Sequence, residues 1–250
     1  YRAVKAIYEQ KETAGSLNSN ERVEALFDLG LSQEALLELE HISKKPDSIA
    51  DIVYICSKFQ ALGAYEQVVR LAARVPYNEK VHRFVYPLAF EETITKLSRQ
   101  YRIDPHLVLS VIREESRFAR DARSPAGALG LMQLMPYTAQ RLDRTLSVGI
   151  KGTYDILDVN NNLHLGIYYL SQLVREFGSY PHAVAAYNAG ERAVSKWKKR
   201  GNYPSSDVFI EDIPYLETKK YVKRVLTTYF QYKRLFPTED GLVEIPLEKL

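Results

Sequence analysis

Along almost the whole chain, apolar residues return every three or four positions, and strict alternation is nearly missing. That periodicity predicts amphipathic helices, with Gly, Pro and Asn marking the breaks between them. The predicted fold class is therefore all-α. In the second part, helices are expected at about 88–101, 105–118, 136–145, 159–177, 181–189, 191–199 and 214–236. Asp104-Pro105 is a strong start signal, because Asp serves as N-cap and Pro at the first helical position has no N–H to leave unpaired. Pro136, Pro181 and Pro214 mark further starts in the same way, and a Ser-Pro-Ala-Gly-rich loop lies between Arg117 and Pro136.

The first part carries a faint internal repeat. Leu29-Gly30-Leu31-Ser32-Gln33-Glu34-Ala35-Leu36 aligns with Leu62-Gly63-Ala64-Tyr65-Glu66-Gln67-Val68-Val69, 33 residues later. Each Gly sits between two amphipathic stretches, so each unit reads as a helix–turn–helix pair. The period and the Leu-Gly turn resemble tetratricopeptide-like repeats. Two such units are too few for a solenoid of their own, since end units need neighbours or a cap. Three regions follow: a helical-repeat region over 1–85, a second helical domain over 86–237, and a C-terminal extension over 238–250. The chain opens at Tyr1 without Met or leader, as if within a helix, and is expected to be a piece of something longer.

Composition narrows the function classes. The chain has 250 residues with 46% hydrophobic and 26% charged, ordinary for a globular protein. Its net charge of +3 divides into −1 up to Val85 and +4 beyond it. That mild excess suits an anionic polymer but lacks the clustered basic footprint of a nucleic-acid binder. A single cysteine, Cys56, rules out an intramolecular disulfide and a Cys-based metal cluster. The five histidines show no metal-ligand spacing, and no apolar run approaches the roughly 20 residues that span a bilayer. No metal, organic cofactor or membrane span is expected. The 18 tyrosines fit a carbohydrate groove and an amphipathic core equally well.

The candidate chemistry begins on the helix from Pro105 to Phe118. Val108, Val111 and Ile112 form one buried stripe, and Glu115 continues it seven residues after Val108. Glu114 is turned about 100° away, toward a polar flank. A carboxyl held on an apolar stripe loses solvation, which raises its pKa toward that of a neutral-pH general acid. Periodicity alone also fits a solvated Glu near a helix end.

Other blocks change the balance. Ile112-Arg113-Glu114-Glu115-Ser116-Arg117-Phe118 is followed by Ser124-Pro125-Ala126-Gly127-Ala128 and Gly130-Leu131-Met132-Gln133-Leu134-Met135-Pro136. Later come Ala185-Ala186-Tyr187-Asn188-Ala189-Gly190, then Ile213-Pro214-Tyr215, Glu217 and Tyr221-Val222. In order and approximate spacing, from about Tyr86 to Phe236, these resemble the soluble lytic transglycosylase catalytic domain, whose fold is related to goose-type lysozyme. The resemblance implies that Glu115, just before Ser116, is the single catalytic Glu. It implies that Gln133 and Met135 line the glycan groove near the scissile bond, and that the Tyr187 hydroxyl lies close to that Glu. Ser124, Asn188, Glu217 and Tyr221 match the polar shell of the groove, and Ser116 is expected with them among the residues that bind the glycan.

Some of these residues have plainer readings. Met132 is expected in the core and Met135 in the groove, Met being suited to irregular packing. Asn188 reads equally as a turn residue before Gly190, and Glu217 as an i,i+3 partner of Lys220. Two departures from the family pattern stand out. Glu114 replaces a more usual Gln and adds a like charge beside Glu115, and Glu191-Arg192 follow Gly190 where Pro and another Gly are common.

The expected activity is cleavage of the bond between N-acetylmuramic acid (MurNAc) and N-acetylglucosamine (GlcNAc) in peptidoglycan, forming 1,6-anhydroMurNAc ends. Ordinary glycosidases use two carboxyls about 5 to 9.5 Å apart; a single one suffices if the MurNAc C6 hydroxyl is the nucleophile. Two alternatives stay open. A goose-type lysozyme-like hydrolase would hold a water, with Asp143, Asp155 or Asp158 in reserve, and a non-catalytic adaptor would only grip glycan. Peptidoglycan strands are the expected partner, with a protein partner for the N-terminal repeats and no nucleic acid. The substrate places the expected site of action in the periplasm.

Overall fold

The computed structural model describes residues 18–201 and 203–237. The expected extension over 238–250 and the expected helix at Tyr1 lie outside the described residues. The chain divides into two compact units, Tyr1–Val85 and Tyr86–Leu250. Every regular element among the described residues is helical, and the all-α expectation holds.

The first unit contains α1 (Ser19–Asp28), α2 (Ser32–Ile42), α3 (Ile49–Ala61), α4 (Tyr65–Ala72), the short α5 (Glu79–His82) and a 3₁₀ turn at Arg83–Val85. The pairs α1–α2 and α3–α4 are joined by the same turn. Gly30 and Gly63 take φ of +67° and +66°, a conformation that costs glycine nothing. In the first turn Gly30 N–H donates to Phe27 O and Leu31 N–H to Leu26 O; in the second, Gly63 N–H donates to Gln60 O and Ala64 N–H to Phe59 O, all at 2.9 Å. The sequence repeat is thus a repeat of helix C-terminal geometry. Val23, Leu39, Ile55, Phe59 and Val68 form this unit's core, with Cys56 among them. Burial pushes the Cys56 thiol up to about 12, which makes it a packing residue rather than a reactive one.

The second unit contains α6 (Glu91–Tyr101), α7 (Pro105–Ser116), α8 (Pro136–Leu146), α9 (Thr153–Leu157), α10 (Val159–Phe177), α11 (Tyr180–Ala189), α12 (Glu191–Arg200), α13 (Ser206–Asp212) and α14 (Leu216–Leu235). Asp104 caps α7, accepting from His106 N–H at 2.8 Å, with Pro105 at the first position. The long α10 is buried along most of its length and packs against α6, α8, α9 and α11. The last helix, α14, packs along α7 and also meets α11 and α13.

The short helices α9 and α13 were not expected from periodicity. Each has fewer than eight residues, too few for a repeat to show, and α13 is placed by Phe209 stacking on His182 at 3.7 Å.

Candidate active site

Ties from α14 reach three residues, the N-cap Asp104 and, on α7 itself, Glu114 and Glu115. At one end the Tyr229 hydroxyl donates to Asp104 Oδ2 at 2.9 Å. Toward the other end Thr228 Oγ1 donates to Glu114 Oε1 at 2.8 Å, and Arg224 Nε donates to Glu114 Oε2 at 3.2 Å. The last tie is the hydroxyl of Tyr221, which donates to Glu115 Oε1 at 2.6 Å.

Glu115 sits in the last turn of α7, above Val108, Val111 and Ile112, all of them fully buried. Burial pushes its carboxyl up to about 7, against the opposing pull of the Tyr221 hydroxyl and the Arg224 charge, while Glu114 adds a smaller push upward. A group with such a pKa is present in both protonation states near neutrality and suits a proton donor that must also take a proton back.

The helix ends because Arg117 and Phe118 adopt left-handed backbone, with φ of +51° and +67°. The segment that follows folds back on itself through isolated bridges pairing Leu129 with Arg123 and with Leu134. Its anchor is Asn162 of α10, which is fully buried. Asn162 Nδ2 donates to Leu129 O at 3.0 Å and Ile156 O at 2.9 Å, and its Oδ1 accepts from Met132 N–H at 2.8 Å. Gly130 must be Gly here, since a Cβ would lie 2.4 Å from Asn162 Nδ2.

This segment carries several expected site residues. Gln133, at φ +46°, donates its side-chain amide to Gly130 O at 2.8 Å and Ala122 O at 3.2 Å. Met132 is fully buried and Met135 is 43% exposed, which divides the two methionines between core and surface. Ser116 Oγ donates to Ile112 O and accepts from Phe118 N–H, both at 3.1 Å. Ser124 Oγ accepts from Ala128 N–H at 2.9 Å. The Ser116 and Ser124 hydroxyls and the Gln133 side-chain N–H groups are thus engaged with backbone.

Tyr187, on α11, donates to Met132 O at 2.7 Å and ties α11 to the same segment. Burial, then the nearby Glu115 charge, raises its phenol well above the usual range. The tyrosine that touches Glu115 directly is Tyr221, expected only in the groove's polar shell. Asn188 Oδ1 accepts from Thr218 Oγ1 at 2.7 Å, linking α11 to α14. Glu217 is exposed in the first turn of α14, one turn before Tyr221.

Beside Tyr187 lies an open cavity of about 580 Å³, lined among others by Gln133, Met135, Tyr137, Arg141, Tyr187, Asn188 and Glu191. Four of these were expected from sequence; Tyr137, Arg141 and Glu191 were not. Glu191 is one of the two departures from the usual motif, and its carboxylate receives Arg141 Nη2 at 3.0 Å. Burial works against its ionisation, but its own backbone N–H and the Arg141 guanidinium outweigh this and hold its carboxyl low. Arg141 also lies 5.4 Å above the Tyr169 ring.

The three aspartates considered as water holders are engaged elsewhere. Asp143 accepts from Gly149 and Ile150 N–H, Asp155 from Lys151 and Gly152 N–H, and Asp158 from Asn161 N–H. No group of three or more His, Cys, Asp or Glu able to hold a metal ion forms among the described residues. No described helix is long and apolar enough to cross a membrane.

The family model described as "Transglycosylase SLT domain" matches residues 92–209. The soluble lytic murein transglycosylase of Salmonella typhimurium is 33% identical over 163 residues, 63% of this chain and 25% of that protein. Lytic transglycosylase Slt from Pseudomonas aeruginosa, solved as an inactive Glu-to-Gln mutant, matches with a TM-score of 0.69 and 28% identity, over 98% of this chain and 38% of that one. The 70-kDa soluble lytic transglycosylase of Escherichia coli matches with a TM-score of 0.71 and 25% identity, over 91% of this chain and 37% of that one. The chain spans about a quarter of the length of the curated relatives it matches.

Proposed function

We propose, on the premise that this chain carries a transglycosylase SLT domain over residues 92–209, that it is a peptidoglycan lytic transglycosylase with Glu115 as its single acid and base. The observation that carries this reading is the Glu115 carboxyl itself: half-buried at the end of an apolar stripe, held by Tyr221, and lifted by burial to about 7.

The proposed reaction has two steps. Protonated Glu115 donates to the glycosidic oxygen between MurNAc and GlcNAc; the MurNAc C1–O bond breaks, and GlcNAc leaves with a free C4 hydroxyl. Positive charge develops at C1 and the ring oxygen. The MurNAc C6 oxygen then bonds to C1 while its proton passes to the Glu115 carboxylate. The acid is regenerated, the product carries a 1,6-anhydroMurNAc end, and no water is consumed. An intramolecular nucleophile brings a large effective molarity, so a second carboxylate is not needed. The engagement of Asp143, Asp155 and Asp158 with backbone N–H groups supports that economy. Acid–base help of this kind accounts for about 10² to 10⁴ in rate.

In this reading 86–237 is the catalytic domain and 1–85 a helical-repeat region offering a surface to a protein partner. Met135, Asn188 and Glu217 contact the glycan. Gln133, Ser116 and Ser124 shape the groove through their backbone bonds, and Tyr187 and Tyr221 hold its catalytic end. Peptidoglycan is the substrate and the periplasm the place of action.

The test is digestion of purified peptidoglycan, with mass spectrometry of the released muropeptides, for wild type and Glu115→Gln. Anhydromuramyl products from the wild type alone are expected. Reducing ends, heavier by one water, would make the protein a hydrolase. No release by either protein would make it a glycan-binding module.

A further inference from the structure

Glu114 and Glu115 are neighbours in sequence but keep different company. Three donors converge on the Glu114 carboxylate: Arg113 Nη1 at 2.6 Å and Thr228 Oγ1 at 2.8 Å on one oxygen, and Arg224 Nε at 3.2 Å on the other. Its side chain is only 10% exposed. Arg224 and Thr228 come from α14, the helix that also supplies Tyr221 to Glu115. Arg224 lies three residues beyond Tyr221, so both side chains occupy the face of α14 turned to α7.

The groups facing Glu115 can be named element by element. On α7 they are Glu114 and, turned toward Glu114, Arg113. From α14 come the Tyr221 hydroxyl and the Arg224 guanidinium. From α11 comes Tyr187, whose own proton is given to Met132 O. Arg224 is the cation whose charge favours an ionised Glu115, and Glu114 is the like charge that disfavours it.

We propose that Glu114 is a positioning residue for the reaction: it holds the Arg224 guanidinium to itself and so keeps that cation from stabilising an ionised Glu115. Left without Glu114, Arg224 would face a half-buried carboxyl with no competing anion, and the acid would give up its proton early. With Glu114 present, its charge opposes that of Arg224 at Glu115, and burial is the largest influence on the proton. A Gln at 114 retains a carbonyl able to accept from Thr228 and Arg224 but carries no charge. Glu114→Gln therefore separates the charge effect from the structural tie.

This inference rests on the reading of Glu115 as acid and base. Its test is the pH profile of kcat/KM for wild type, Glu114→Gln, Arg224→Gln and the double variant, paired with ¹³C NMR titration of the Glu115 carboxyl. The alkaline limb reports loss of the acid's proton. Glu114→Gln should move that limb and the NMR titration down by about half to one pH unit. Arg224→Gln should move both up, and the double variant should return close to wild type. Should Glu114→Gln not fold, Arg224→Gln still has to produce its upward shift, because Arg224 is half exposed and its removal leaves the core intact. Unchanged titration in the single variants, alongside a lower kcat or melting temperature, would make Glu114 a structural tie only and overturn the inference. If Glu115→Gln retained full activity, the functional reading would fail, while the NMR titration would still decide this one.

Discussion

The Tyr221 hydroxyl donates to Glu115 Oε1 at 2.6 Å, joining residues 106 positions apart. The bond does two things. It favours the ionised carboxylate, and it fixes the direction in which the other oxygen points. Tyr221→Phe should therefore lower kcat by about 10- to 100-fold through lost alignment. It should at the same time move the alkaline limb of the pH profile upward, since a hydrogen bond to the charged form has been removed. Steady-state kinetics across pH would show both, and a downward shift would contradict this account.

The stability of the fold should carry the mark of Glu115 as well. Its carboxyl is raised from 4.5 in the unfolded chain to about 7 when folded, mainly by burial. A raised pKa means that the folded state holds a proton the unfolded chain releases. The contribution is complete below the unfolded pKa and is lost as pH rises through the folded one. Relative to wild type, Glu115→Gln should be nearly neutral at about pH 4 and more stable by roughly 2–3 kcal/mol at about pH 8. Urea unfolding at the two pH values measures the difference.

Asn162 is the anchor of the segment carrying Gln133 and Met135. Removing its amide leaves Leu129 O, Ile156 O and Met132 N–H without their buried partner. Asn162→Ala should cost about 3 kcal/mol or more. It should also raise KM in protein that remains folded, because one wall of the cleft is no longer fixed. Denaturant melts and glycan-binding assays would separate the two effects.

Tyr137 lines the cleft with 76% of its surface exposed. A bare aromatic ring at the rim offers an apolar face to a sugar. For contact worth about 1 kcal/mol, Tyr137→Ala should raise KM about fivefold. The melting temperature should not change. A normal KM would remove Tyr137 from the glycan path.

Much of this molecule can be read before folding. The start signals at Asp104-Pro105 and Pro136 place the beginnings of α7 and α8, because capping is a local interaction encoded by adjacent residues. The Glu115 position is legible for a similar reason: the stripe of Val108, Val111 and Ile112 points the same way as the carboxyl. What periodicity cannot report is which side chain arrives from elsewhere in the chain. The partner of Glu115 comes from α14, and the Tyr187 hydroxyl is spent on the Met132 carbonyl. Tyr137, Arg141 and Glu191 become a cleft lining only when α8 and the start of α12 meet across it. Gln133 and Ser116 look like free polar groups in the sequence. Positive φ at Gln133, and at Arg117 beside Ser116, turns the chain so that both bond to backbone instead.

Helix α7 also treats its two ends unequally. At Asp104 the backbone presents unpaired N–H groups, and the aspartate side chain receives one of them. At the other end, where Arg117 stops the helix, its carbonyl oxygens point outward along the axis, and their summed field amounts to roughly half a negative charge. Glu115 stands in that last turn. The peptide bonds of the helix thus repel an electron-rich carboxylate there and welcome a proton, whatever the neighbouring side chains do. A carboxyl grafted at the opposite end would feel the reverse field, so the direction in which this helix runs is itself part of what makes its terminal glutamate an acid.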